Sequence, residues 1–166
     1  MGILHSYSAA VTWTGAGGTG TAGYASYSRD HEVEFPGKPP LLGSAEPTFR
    51  GDASRYNPEE LLVAALAQCH MLWFLHLAAD AGVVVTAYHD DAAGTMRVRS
   101  GGMGRFTEVV LHPRVTVRDE VPDAVLGELH ERAGEYCFIK QSVNFPVRCE
   151  PTQHAVGRAA PADAIP

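Results

Sequence analysis

The sequence predicts an α+β domain in which two helices are surrounded by short strands. One observation behind this is an apolar stretch signalled at both ends, running from Asn57 to Gly82. A second is the helical spacing of apolar residues after Pro122, and a third is the set of β-branched or alternating runs before, between and after the two helices. Asn57 is a good N-cap, and Pro58 fits the first helical position, where a missing N–H costs nothing. Glu60 stands three residues after the cap, as in a capping box, and Glu59 and Glu60 both favour the positive end of the helix dipole. Gly82 is a natural stop. Between Leu61 and Ala79 the only polar side chains are Gln68, His70 and His76. A helix apolar on nearly every face is expected to be buried on nearly every face. Cys69, near its middle, is then either an inert core thiol or the centre of a site.

The remaining elements follow in order. Residues 3–13 read as a strand, and the glycine-rich stretch Gly15–Gly23 as a turn or mobile loop. It has no following Lys-Ser/Thr and no long apolar helix behind it, which argues against a phosphate loop. Tyr24–Ser28 and His31–Phe35 read as two short strands. Pro36–Tyr56, with Pro36, Pro39, Pro40 and Pro47, reads as a long loop of the kind that is functional or packs across a partner. After the helix, Val83–Tyr88 and Thr95–Arg99 are expected as hairpin mates, and Gly101–Gly104 as a turn. Arg105–Arg118 alternates as one long strand bent near Pro113. Pro122 and Asp123 open the second helix, with Val125, Leu126, Leu129, Ala133, Tyr136 and Cys137 at helical spacing. Phe145–Glu150 is a last strand, and the Ala- and Pro-rich tail beyond Pro151 is expected to fray. The reading is a single domain over residues 1–155 with a C-terminal tail over 156–166.

Composition narrows the function. The chain has 166 residues, 45% of them apolar, enough for one sizeable core. A net charge of −6 without a basic cluster argues against nucleic acid as a partner. No basic segment leads into an apolar run at the start, so no signal peptide is expected. The run 61–79 is just long enough to cross a bilayer, but its alanines and two histidines favour a core helix, and no membrane partner is expected. Three cysteines without a dense framework fit a reducing cytoplasm.

Cys69, Cys137 and Cys149 form no Cys-x-x-Cys pair, so neither a zinc ribbon nor a thioredoxin motif is present. His70 and His76 lie six apart, on different helix faces, and no histidine cluster has ligand spacing. The expectation is therefore no metal and no cofactor. A Gly-x-Ser-x-Gly elbow is also missing. Two thiols on separate helices can meet if the helices pack, and a thiolate in mid-helix needs a nearby cation.

Asn57-Pro58-Glu59-Glu60-Leu61, with Cys69 ten residues after Glu59 and Cys137 near the end of the second helix, resembles the signature of the OsmC/Ohr family. Those are the osmotically inducible and organic hydroperoxide resistance proteins. The resemblance covers residues 5–150. It implies an OsmC-like fold, with two long helices packed with antiparallel β-sheets in an intertwined homodimer. It also implies a cofactor-free thiol peroxidase acting on organic hydroperoxides. Cys69 would be the peroxidatic thiol and Cys137 the resolving thiol, with an external dithiol or lipoyl group as reductant. Glu59 matches the family's acid, which positions an arginine beside the thiolate. In the hydroperoxide-resistance branch that arginine lies in the glycine-rich segment, and Thr19–Gly23 contains none. Arg29, Arg50 or Arg55 would have to supply it, Arg50 and Arg55 being attractive because they precede the helix. Ten helical residues span about 15 Å, so Glu59 cannot act on Cys69 locally. Cys149 matches no family site and is expected to be structural or a bystander. The alternative is a non-enzymatic protein on the same scaffold, either binding a small ligand or sensing redox state.

Overall fold

A computed structural model of the chain describes residues 2–157. The chain forms two compact units, Met1–Leu62 and Val63–Pro166.

In the first unit, β1 (Ala10–Trp13), β2 (His31–Glu34) and β3 (Leu41–Gly43) form an antiparallel sheet in the order β1-β2-β3. The strand predicted over 3–13 shortens to β1, because β2 supplies pairing partners only for Ala10–Trp13. Ile3, Leu4 and Tyr7 are left almost fully exposed. The strand predicted over Tyr24–Ser28 is a set of turns instead. Ser26 Oγ is hydrogen-bonded to the carbonyls of Gly20 and Gly23, and Arg29 donates to the carbonyls of Tyr24 and Tyr27. Side chains thus satisfy backbone acceptors that a strand ladder would have used. The long loop is also more ordered than its prolines suggest, since it holds β3 and a 3-10 turn at Pro47–Phe49.

Helix α1 (Pro58–Asp80) begins in the first unit and runs into the second. The predicted capping box is present. Glu60 N donates to Asn57 Oδ1 at 2.8 Å, and Asn57 N donates to Glu60 Oε2 at 3.1 Å. Gly82, at φ 72°, ends the helix as Val83 N turns back to the Ala78 carbonyl. Burial of α1 is narrower than expected. Leu66, His70, Phe74, Leu77 and Ala78 form one buried stripe, whereas Leu72 is 59% exposed. A single copy of the chain covers one face of this helix and leaves other apolar positions open. Among the described residues it is the helix long and apolar enough to span a membrane, with 28% of its most apolar window buried.

The second unit has two sheets, ordered β4-β7-β9 and β5-β6-β8. Their strands are β4 (Val85–Asp90), β5 (Ala93–Val98), β6 (Gly104–Leu111), β7 (Pro113–Val117), β8 (Val147–Cys149) and β9 (Gln153–Val156). The expected hairpin of the first two strands does not form. β4 pairs with β7 and β5 with β6, both antiparallel. The glycines at 101 and 102, with φ of 93° and 83°, close the β5–β6 turn. The long bent strand is in fact two strands in different sheets. Pro113 lacks an N–H, and His112 N donates to the side chain of Asp90 (Oδ1, 2.7 Å) rather than to a strand backbone. β8 joins β6 and β9 joins β7 in parallel, so the sheets are mixed. β9 lies in the stretch expected to fray; residues 158–166 of that tail lie outside the described residues.

Helix α2 (Asp123–Tyr136) is followed by the short α3 (Phe138–Gln141). One core joins Phe74, Leu77 and Ala78 of α1 to Val115 and Val117 of β7 and Leu126, Leu129 and Ala133 of α2. A second gathers Leu66, Val109 and Leu111 with Phe106 and Phe145. Burying each of the larger side chains among these contributes about 1.5–3 kcal/mol, which fixes α1 against α2 and the sheets.

Candidate functional site

Cys69 projects from the middle of α1 and is half-buried. Cys137 is not within α2, as its spacing suggested, but at the joint between α2 and α3. Its backbone is extended there (φ −65°, ψ 106°), and its Sγ caps α3 by accepting from Lys140 N at 3.4 Å. Cys137 lies close enough to Cys69 for the two thiols to influence each other, and all three cysteines carry free thiols. Burial, with the neighbouring Cys69 thiol adding to the effect, pushes the Cys137 thiol up to about 11. Trp73, one turn after Cys69, packs against Tyr136 and Phe138 with ring centroids 5.1 and 5.4 Å away. These two aromatics flank Cys137 in sequence, so their contact with Trp73 holds the thiol pair in register.

The other predicted residues belong to the first unit. Arg29 lies over the rings of Tyr24 and Tyr27, 4.4 and 4.1 Å from their centroids. Together with Trp13, Tyr27, Phe49 and Glu59 it lines a cavity of about 450 Å³. Arg55 is engaged elsewhere, 3.8 Å from Asp30 and 3.7 Å from Asp52. Arg50 is exposed and follows the 3-10 turn in a left-handed conformation, φ 67°. The arginine that shares a cavity with Glu59 is thus Arg29, not the two residues nearer the helix.

A second cluster was not legible. His70 of α1, His130 of α2 and Cys149 of β8 bring one donor atom each to within 4.8 Å of the others. His70 Nε2 is 3.1 Å from His130 Nδ1 and 3.4 Å from Cys149 Sγ; His130 Nδ1 is 3.8 Å from that sulfur. Both histidines are buried. Burial holds them neutral, His70 lowered to about 4 (Lys140 adding to the effect) and His130 to about 3. Burial pushes the Cys149 thiol up to about 12, aided by Asp90. The sequence expectation of no histidine cluster considered spacing along the chain, and these donors come from three separate elements. The available signal was a histidine inside the apolar stripe of each helix, His70 between Leu66 and Phe74, and His130 beside Leu126 and Leu129.

The family model for OsmC-like proteins matches residues 51–152. An OsmC-like protein of unknown function from Vibrio cholerae is similar in structure, with a TM-score of 0.81 and 36% identity, covering 89% of this chain and 99% of its own. An organic hydroperoxide resistance protein from Elizabethkingia anophelis shares the fold at 18% identity, with a TM-score of 0.68 and coverage of 95% and 100%. One from Legionella pneumophila does so at 18% identity and a TM-score of 0.67, covering 93% and 100%. No curated protein matches the chain.

Proposed function

The chain belongs to the OsmC-like protein family, and on that premise we propose that it is a thiol peroxidase for organic hydroperoxides. The observation that carries this reading is the neighbouring pair of free thiols, Cys69 of α1 and Cys137 of the α2–α3 joint, close enough to influence each other. The Cys69 thiolate attacks the O–O bond of ROOH, forming a sulfenic acid and releasing RO⁻, which takes a proton to leave as the alcohol. The Cys137 sulfur then displaces hydroxide from Cys69, giving a disulfide and water. An external dithiol or lipoyl group reduces that disulfide by exchange and is itself oxidised. Glu59 and Arg29 are proposed as the acid and the arginine of the reaction, because both line one cavity. Cytoplasmic location and a homodimer complete the proposal.

Consumption of cumene hydroperoxide with a dithiol reductant tests it. Cys69→Ser is expected to abolish turnover. Cys137→Ser is expected to consume about one equivalent and stop at a trappable sulfenic acid. Full turnover in Cys69→Ser overturns the mechanism.

A further inference from the structure

We propose that His70, His130 and Cys149 form a buried transition-metal site for a borderline-soft divalent ion of the zinc class. The argument is geometric. Three atoms able to give a lone pair, two imidazole nitrogens and a sulfur, face one another across edges of 3.1, 3.4 and 3.8 Å. The circle through a triangle of those edges has a radius of about 2.0 Å, so one central point lies at zinc–nitrogen bonding distance from all three donors. A small displacement out of that plane, away from the sulfur, accommodates the longer zinc–sulfur bond of about 2.3 Å. The same three contacts form a closed hydrogen-bonded trio, and an ion at their centre would replace the protons they share.

The surroundings supply a counter-charge and unpaired oxygens outside the donor trio. Tyr88 Oη and Asp90 Oδ2 are buried oxygens without a hydrogen-bond partner among the described residues. Both side chains sit close enough for electrostatic coupling: Asp90 acts on Cys149, and Cys149 and Asp90 both act on Tyr88. They alternate along β4 and so project to one face of that strand. A zinc-bound thiolate leaves one positive charge, which the Asp90 carboxylate would balance. Lys140, whose charge reaches His70 and Cys149, opposes the ion and argues for a site of moderate affinity. The imidazoles are already neutral, as ligands must be, while Cys149 must give up a proton on binding. Imidazole plus thiolate is the donor set that selects zinc over magnesium or calcium. Donors from α1, α2 and β8 make the ion a clip between three elements of the second unit.

The test uses full-length reduced protein, with zinc uptake measured by competition against a chromophoric chelator. One ion per chain is expected, with Cys149→Ser weakening affinity by at least about tenfold. The Cys69→Ser/Cys137→Ser double variant is expected to bind as the wild type does. Cobalt(II) loading is expected to give a tetrahedral spectrum with a thiolate charge-transfer band that Cys149→Ser removes. The site is overturned if no stoichiometric uptake occurs, if Cys149→Ser keeps wild-type affinity, if the cobalt complex lacks the thiolate band, or if binding is lost in the double variant instead.

Discussion

Burial separates the two thiols of the proposed redox pair. Cys137 is 1% exposed and its thiol is pushed up to about 11, so at neutral pH it stays protonated and shielded. Cys69, half-buried on α1, is the one solvent reaches. Iodoacetamide at pH 8 is therefore expected to label Cys69 well before Cys137 in the native protein, read by peptide mass spectrometry. Equal labelling would remove the assignment of attacking and resolving roles. Arg29 carries a second prediction at this scale. Its guanidinium, held by two carbonyls and two tyrosine rings, lines the cavity that Glu59 lines, while Arg55 is already paired with aspartates. Arg29→Ala is expected to lower peroxide turnover by more than tenfold, on the order of one lost charge-assisted contact, and Arg55→Ala to lower it far less.

Helix α1 links the proposed chemistry to the packing. Its cap is reciprocal, Asn57 to Glu60 and back, and Asn57→Ala is expected to cost about 1 kcal/mol in urea unfolding. Phe74 is fully buried, stacked on His130 at 4.1 Å and tilted against Tyr88 at 5.7 Å. Phe74→Ala is expected to cost about 3–5 kcal/mol, because no neighbour can close the space left behind. The same change loosens His130, so reduced zinc uptake in this variant would follow from the element that holds the ligand.

At the scale of the whole molecule, two open apolar features call for a partner. Leu72 of α1 and Ile3, Leu4 and Tyr7 ahead of β1 are exposed in the single chain. A second copy covering them is the proposed homodimer, and light scattering at micromolar concentration is expected to give twice the monomer mass. Stability should also depend on pH in a defined way. His70 and His130 fall from an ordinary 6.5 to about 4 and 3, so between those limits the unfolded chain binds protons the native one refuses. Stability is then complete above about pH 6.5 and falls on acidification, with a slope approaching about 2.7 kcal/mol per pH unit for two protons. Asp90, whose carboxyl burial raises, offsets part of that loss at the acid end. On the alkaline side Cys137 and Cys149, raised from 9.0 to about 11 and 12, make stability fall as pH rises past about 9. Urea unfolding of metal-free protein from pH 4 to 10 checks both limbs.

By itself the sequence determined what is local. The capping box, the Gly82 stop and the extent of α1 follow from neighbours within a turn or two, and so does the start of α2 at Asp123. The Asn57–Cys69 stretch with Cys137 was enough to indicate the family. Tertiary structure alone decided which strands pair, because β-pairing joins distant segments and the break at Pro113 sends β6 and β7 to different sheets. It also decided that Arg29 shares a cavity with Glu59, and that His70, His130 and Cys149 meet. Those three donors are separated by long stretches of chain and obey no spacing rule. Only the packing of α1 against α2 and the parallel pairing of β8 with β6 bring them within bonding reach of one ion.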